Sequence, residues 1–442
     1  MSDVKPTAPE FADAVSIQSV IIYSKLFDPV DISGIVTDLD VFEHLDKPYV
    51  TAILGFVDIE DVFGSLNISG GEFVSVDLKS NLEDSVPVIK VFNIDKVVSS
   101  NKVSDNEEFF TLHLIESHAF VSNLININRS YHGKASEIIK NISKEFLNIE
   151  LHRQGKDFQE MKVIVPNMTP LDAMCWVKNR STTFEGYPCY LYSSFLGKDS
   201  LIFSDMKKML SSDVMNGIEG EEYTHYESQL SMPSDKSKRR VIMAYQSKDT
   251  YDIYKLIDRG LLGSNYSYLD LIKKDKRKDS FHFDIDEPLG KLSKDNIIPV
   301  QNRPIYDSTR YEWSFEKELN SRKITRVGSS QAFDGKNSLT QSEDVSEYRR
   351  NEVNRSMSQL LVSDPMSFIV NGLDFFSGEE NTTIGNKLRV RFLRNTKVGD
   401  PTEPFDRKKS GDYLIFACKH SFTPREYTLT FSGVKLSNGE IL

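Results

Sequence analysis

The side chains best suited to chemistry in this sequence form a few small groups of carboxylates and histidines. His282, Asp284 and Asp286 alternate along a predicted strand, so they would share one face and could offer ligands to a divalent cation. The segment lacks the glycine and the distal glutamate of a calcium-binding loop. A solvated acidic strand therefore explains this group better than a metal site.

Two further groups contain residue types suited to acid–base or metal chemistry. Asp58, Glu60 and Asp61 are close in sequence, but glycoside hydrolysis needs two carboxylates that face each other across a cleft. Charges of a turn or surface explain them better. His113 and His118 flank a predicted strand end and offer at most a weak metal pair, so we interpret them as surface or strand histidines.

The remaining charged feature is a basic run at residues 273–278, which could contact phosphates or an acidic partner. It has no interleaved aromatic residues on which bases could stack, so a solvated loop is the better interpretation. The sequence contains no nucleophile elbow, Walker loop or dinucleotide fingerprint. We therefore predict no catalytic residues, no cofactor and no metal.

Length, charge and cysteine content limit the class of protein. A chain of 442 residues is too long for one core and indicates several domains. A net charge of −11 argues against a nucleic-acid-coating protein, since binding phosphates needs excess Lys and Arg. Three cysteines without a C-x-x-C pair favour a reducing assembly compartment. The N-terminus has no apolar signal region, and no apolar run is long enough to span a membrane.

The same β pattern occurs near both ends of the chain. A glycine turn enters a strand at residues 69–78 and a long hairpin follows at 86–116; a glycine turn at 384–392 is followed by a hairpin at 411–436. This predicts two related β units, although any β-rich protein can contain such pieces. The predicted fold class is mainly β with α+β insertions: two related β-barrel domains plus smaller α+β modules.

The predicted domains follow from changes in pattern along the chain. Between the β units, a helix is predicted at residues 130–147, and a second helix begins at the N-cap Thr169 with Pro170 in its first turn. We expect a polar tail (1–15), a first β-barrel (16–118), an α+β module (119–210), a second β-barrel (211–245 with 348–442) and an insertion (246–347). Within the insertion, residues 317–347 are predicted to be a mobile polar loop, and residues 251–260 a helix.

The order of these elements resembles a known family. After the first hairpin come the helical segment at 130–139, the segment 168–180 with Thr169, Pro170, Leu171 and Trp176, and a tyrosine-rich strand pair that turns at Gly197. This order resembles the baseplate hub protein of contractile-tailed (T4-like) bacteriophages and is similar to the hub portion of type VI secretion spike proteins. The resemblance covers most of residues 16–245 and 348–436.

The resemblance implies a structural function. Three chains with two barrels each would form a ring of six barrels that adapts the six-fold tail tube to the three-fold central spike. Genome DNA would pass through an acidic lumen without specific binding. The implied partners are the spike, the tube protein and other baseplate proteins, with no membrane insertion and no enzymatic activity. The implied location is the virion tail baseplate, assembled in the host cytoplasm.

Exposed strand edges are the predicted means of assembly, since an edge in one barrel can extend the sheet of the next. The predicted interface residues are Tyr427, Leu429, Phe431, Leu388 and Val390.

Two alternative functions stay open. One is a glycan hydrolase on a β scaffold that uses Asp58 or Asp284. The chain has only two tryptophans, which argues against it, because sugar sites commonly stack aromatic side chains on the sugar rings. The other is a host-surface-binding tail protein, which would usually show repeats or long fibrous stretches.

Overall fold

A computed structural model describes most of both ends of the chain and part of its middle. The described residues are 15–25, 27–59, 62–80, 86–102, 107–158, 160–198, 200–216, 222–226, 240–247, 264–270, 275–278, 305–314, 322–328, 354–355, 357–359, 365–376, 380–393, 405–406, 409–424 and 426–437. The predicted helix at 251–260 and the group of His282, Asp284 and Asp286 lie outside them.

The first β unit is built from seven strands and one short helix. The strands are β1 Val15–Tyr23, β2 Val30–Asp31, β3 Val36–His44, β4 Thr51–Asp58, β5 Phe73–Ser80, β6 Val88–Lys102 and β7 Glu108–Glu116, and the helix is α1 Val62–Leu66. Alternate residues of these strands are buried, for example Val74, Val76 and Leu78 of β5, as the two-residue period of a strand requires.

An α+β module follows. Its elements are α2 Ser117–Ser122, β8 Ser130–Lys134, α3 Ala135–Ile142, β9 Glu150–Arg153, β10 Glu160–Ile164, α4 Pro170–Lys178, β11 Cys189–Ser193, β12 Ser200–Asp205 and α5 Met206–Ser211. Thr169 caps α4, since its hydroxyl accepts a hydrogen bond from the Asp172 N–H, as predicted. The helix predicted from residue 130 begins only at Ala135, because residues 130–134 pair with β10 instead.

The rest of the chain supplies the second β unit and part of the insertion. The strands are β13 Tyr223–His225, β14 Ile242–Ser247, β15 Ser264–Asp270, β16 Asp275–Lys278, β17 Ile305–Asp307, β18 Glu312–Ser314, β19 Arg322–Gly328, β20 Pro365–Asn371, β21 Lys387–Phe392, β22 Gly411–Phe422 and β23 Tyr427–Ser437. A 3₁₀ turn, Leu373–Phe375, follows β20.

Two loop predictions in the insertion are wrong where the structure describes it. Residues 275–278 of the basic run form β16, which pairs with β15. Residues 322–328, inside the predicted polar loop, form β19, which pairs with β15 in parallel. Polar composition suggested loops, but pairing with a strand distant in sequence determines these segments.

The two β units share one strand order. In the large thirteen-stranded sheet the first unit runs β3-β4-β7-β6-β5-β1, and the second runs β14-β20-β23-β22-β21-β13. A short helical segment follows the second strand of each path, α1 after β4 and the 3₁₀ turn after β20. One difference is that β1 is antiparallel to β5 whereas β13 is parallel to β21. The prediction of two related β units is confirmed.

The repeat extends to single hydrogen bonds. The Gly71 N–H donates to the Ile94 carbonyl at 2.8 Å, and the Gly385 N–H donates to the Ile415 carbonyl at 2.8 Å. Both glycines have positive φ, 95° and 81°, a conformation that favours glycine. The glycine turns noticed in the sequence are therefore equivalent entries into β5 and β21.

Each unit curls so that the ends of its strand path approach. The Ile32 N–H, which follows β2 and leads through one 3₁₀ turn into β3, donates to the Val20 carbonyl of β1 at 2.8 Å. Val241, just before β14, bridges to Thr224 of β13. One apolar core runs through both units and a second core fills the α+β module. The predicted fold class, β-barrel domains with small α+β modules, is confirmed.

Substituting Gly372 tests the packing at the end of β20. A Cβ atom at Gly372 would overlap the ring of Tyr427, which is fully buried and cannot move aside. We expect Gly372→Ala to lower the free energy of unfolding by about 1–3 kcal/mol through overpacking. The control is Gly34→Ala, because a Cβ atom there meets nothing within 4 Å. Urea unfolding of both variants measures the difference, and equal stabilities would contradict the packing described here.

Candidate assembly interface

The five residues predicted to mediate assembly lie in the core of this chain. Tyr427, Leu429, Phe431 and Val390 are 0% exposed and Leu388 is 1% exposed. Strand β23 pairs with β20 on one side and with β22 on the other. The prediction that residues 427–431 offer an exposed edge is therefore wrong. Alternating apolar residues marked a strand between two neighbours, which the sequence pattern alone cannot distinguish from an edge strand.

The two β units are joined by edge pairing inside the chain. Strand β3 of the first unit and β22 of the second run antiparallel, from Ala417 opposite His44 to Phe422 opposite Leu39. On the partly exposed face of this junction, Asp40 accepts a hydrogen bond from the Ser421 hydroxyl at 2.7 Å and pairs with the Lys419 ammonium at 2.8 Å. A continuous sheet between two units, predicted for neighbouring barrels, thus exists within one chain.

The buried face of the junction carries a polar cluster, defined by Glu43, Cys418 and His420. Glu43 and Cys418 are directly opposite in the two strands. His420 Nε2 lies 3.5 Å from Glu43 Oε2, and His420 Nδ1 lies 2.9 Å from the Tyr427 hydroxyl. All three cluster residues are buried, and their ligand atoms lie within 4.8 Å of one another, so these are the described residues that could hold a metal ion.

The same carboxylate connects the junction to the rest of the chain. Glu43 Oε1 accepts a hydrogen bond from the Phe195 N–H of the α+β module, and Oε2 accepts one from the Thr383 hydroxyl at 2.7 Å. Asn381 supports this arrangement, since its side-chain oxygen accepts a hydrogen bond from the Ser194 hydroxyl at 3.0 Å. The cluster therefore fixes the two β units and the module at one point.

Electrostatics favour a charged Glu43 in this site. Burial by itself raises the pKa of Glu43, but the nearby charge of His420 and the hydrogen bonds outweigh it and hold the pKa below its usual value. Burial raises the pKa of the Cys418 thiol and of the Tyr427 hydroxyl well above their usual values. At neutral pH the cluster thus holds an ionised carboxylate among a neutral thiol and a neutral phenol.

The other sequence candidates are not brought together into a site. Asp58 is buried, and its carboxylate accepts hydrogen bonds from the Val62 and Phe63 N–H groups at the start of α1, which is a capping role. Its sequence neighbours at positions 60 and 61 lie outside the described residues. His113 pairs with Asp95 at 3.0 Å, whereas His118 contacts the Pro48 carbonyl at 2.7 Å. The two histidines thus have separate partners.

In the large sheet, two of the strand segments that have an unpaired side within the described part of the chain lie on β6 and β14. Strand β6 pairs with β5 over residues 88–93, while its distal half, residues 96–101, pairs with β7 alone. Strand β14 ends the sheet and pairs with β20 alone over residues 244–247. Val98 of β6 is 52% exposed and Met243 of β14 is 50% exposed. These two edges are the candidate surfaces for assembly.

Sequence reasoning missed both the cluster and the edges. Cys418 and His420 are two residues apart on a strand and so share a face, which was a usable signal. Glu43 lies near the other end of the chain, and nothing in the local pattern connects it with them. The sequence predicts β6 as one strand of a hairpin. Which half of β6 lacks a second neighbouring strand is determined by the order of strands in the sheet, which the sequence pattern does not give.

Comparison with known proteins supports a tail-protein fold. The chain is 11% identical to the 43 kDa tail protein of prophage MuSo2 from Shewanella oneidensis, with a TM-score of 0.51 over 95% of this chain and 98% of that one. It is 12% identical to a tail protein from Neisseria meningitidis MC58, with a TM-score of 0.53 over 96% of each chain. At such identities these likenesses establish the fold.

A type VI secretion component is also among the similar structures. The E. coli c3393 protein, described as similar to the T4 tail proteins gp27 and gp5, gives a TM-score of 0.40 at 10% identity, over 96% of this chain and 77% of that one. No protein-family model and no curated protein matches the sequence. The two similar structures with TM-scores above 0.5 are both tail proteins. No described helix is long and apolar enough to cross a membrane.

Proposed function

We propose that this chain is the structural hub of a phage tail baseplate or of a related contractile injection machine. Three chains form a ring of six β units that adapts the six-fold tail tube to the three-fold central spike. The observation that carries the proposal is the internal repeat, in which two units of identical strand order are joined edge to edge within one chain.

The repeat supports a symmetry adaptor for a physical reason. A ring of three identical chains offers only three equivalent contacts, whereas a chain with two similar units offers six quasi-equivalent ones. The junction of β3 with β22 is one such contact already formed. A six-fold face toward the tube and a three-fold face toward the spike then coexist in one ring.

Charge and partners complete the proposal. The net charge of −11 suits a lumen through which DNA passes without binding. The partners are the central spike, the tail tube protein and other baseplate proteins, and the ring is part of the virion after assembly in the host cytoplasm. The hub is not an enzyme, and the capping role of Asp58 in α1 is consistent with that, because it removes one candidate catalytic carboxylate.

The test is the solution mass of the purified chain by light scattering, alone and with the spike protein encoded beside it. We expect three times the mass of one chain, either alone or in complex with the spike, and a six-fold face in electron micrographs of the ring. The matched control is the spike alone, whose mass must be subtracted.

A chain that stays monomeric with the spike would overturn the trimeric hub. Glycan substrates would then be tested next, and saccharide hydrolysis would favour the hydrolase alternative.

A further inference from the structure

We propose that the distal half of β6, residues 96–101, pairs with strand β14 of a second copy of this chain, in the register in which β22 pairs with β3 within the chain. This proposal rests on the ring proposed above and names the strands that would join its chains. It follows from the internal repeat, because each unpaired edge has an equivalent that is already paired.

The first equivalence is between β6 and β22. The pairing of β6 with β7 has a bulge between Ile94 and Lys96, and the pairing of β22 with β23 has one between Ile415 and Ala417. Just after these bulges, Lys96 lies opposite His113 and Ala417 lies opposite Ser432. Four residues further along each partner strand, Asn101 lies opposite Phe109 and Ser421 lies opposite Thr428. Asn101 is thus the equivalent of Ser421. A second bulge adds Val98 to β6, a residue without a counterpart.

The second equivalence is between β14 and β3. The pairing of β3 with β4 has a bulge between Val36 and Asp38, and the pairing of β14 with β20 has one between Ile242 and Ala244. Counting two residues onward from Asp38 and from Ala244 matches Asp40 with Gln246. Bulges fix register in a sheet, so the match holds residue by residue.

The junction within the chain therefore specifies a contact between chains. Ser421 lies opposite Asp40, and the two side chains are hydrogen-bonded at 2.7 Å. Their equivalents, Asn101 of one copy and Gln246 of the next, would face each other in the same way. Both side chains are exposed in the single chain.

Burial supports the same pairing. Cys418 of β22 is 3% exposed, while its equivalent in β6, Val97, is 36% exposed. Leu39 of β3 is 0% exposed, while its equivalent in β14, Tyr245, is 37% exposed. Positions that are buried at the junction are thus more than a third exposed at the two candidate edges. A second copy that repeats the junction would cover them.

The geometry favours a closed ring over a two-fold dimer. The two edges are different surfaces, so the contact is head-to-tail, and such contacts close into rings or extend into filaments. Each new joint would repeat the arrangement of the joint inside the chain, which makes successive units quasi-equivalent.

Disulfide cross-linking tests the register. Asn101→Cys and Gln246→Cys are introduced together in a Cys175→Ser background, because the other two native cysteines are buried. After mild oxidation we expect most chains to migrate as covalently linked multimers on a non-reducing gel. The control is Ser100→Cys with Gln246→Cys. Neighbouring residues of a strand point to opposite faces, so this pair should give several-fold less cross-linking.

The outcomes separate this proposal from the proposed function. A trimer by light scattering without the Asn101–Gln246 link would overturn the strand pairing and leave the hub intact, whereas a persistent monomer would overturn the ring itself. If the double variant fails to fold, hydrogen exchange of the wild-type ring tests the strand pairing between chains instead. Backbone amides at residues 96–101 and 243–247 should exchange more slowly in the ring than in dilute monomer, and unchanged exchange would overturn the pairing.

Discussion

Glu43→Ala is expected to lower the free energy of unfolding by about 2–5 kcal/mol at neutral pH, since it leaves buried hydrogen-bond donors without their acceptor. The substitution leaves the Phe195 N–H and the Thr383 hydroxyl without their acceptor in a buried site. Because Glu43 belongs to the first β unit, Thr383 to the second and Phe195 to the α+β module, the loss affects the whole junction. Urea unfolding followed by far-UV circular dichroism measures it.

The matched control is Lys419→Gln, on the opposite face of the same two strands. Its ion pair with Asp40 is partly exposed, so its loss should cost less than about 1 kcal/mol. The lowered pKa of Glu43 adds a pH signature: the stabilisation is present above the unfolded-state value of 4.5 and is lost as pH falls through the folded-state pKa. Equal losses in the two variants at neutral pH would contradict the role assigned to the cluster.

Leu429→Pro is expected to unfold the second β unit and not merely to block assembly. Leu429 is fully buried in β23, opposite Val370 on one side and His420 on the other. Proline inside a central strand removes a ladder hydrogen bond and leaves its buried acceptor unpaired, at a cost of about 1–3 kcal/mol. Loss of the buried leucine side chain adds about 2–5 kcal/mol. Limited proteolysis and circular dichroism of the purified variant measure the effect.

Leu429→Met is the control for this substitution, because a volume-conserving change should cost less than about 1.5 kcal/mol. If residues 427–431 formed an exposed edge strand, as the sequence pattern predicted, the Leu429→Pro variant would fold and would fail only to assemble. A folded, monomeric Leu429→Pro chain would therefore contradict the paired position of β23.

These two predictions mark where sequence patterns succeed and where they fail. The two-residue period identified the hairpin of β22 and β23, and local capping rules identified the start of α4 at Thr169. The same period could not tell a central strand from an edge strand, since apolar alternation reports burial of a face and says nothing about neighbours within the sheet. That is why Tyr427 and Leu429 were assigned to an interface.

Tertiary structure alone decided which strands meet. The sequence determined the mainly β class, the repeat of a glycine turn and a long hairpin, and the resemblance to baseplate hub proteins, because these features depend on residues close together in the chain. The pairing of β3 with β22, the cluster of Glu43, Cys418 and His420, and the open edges of β6 and β14 depend on contacts between distant segments. Backbone hydrogen bonds between strands are nearly independent of side-chain identity, so only the folded sheet determines those partners.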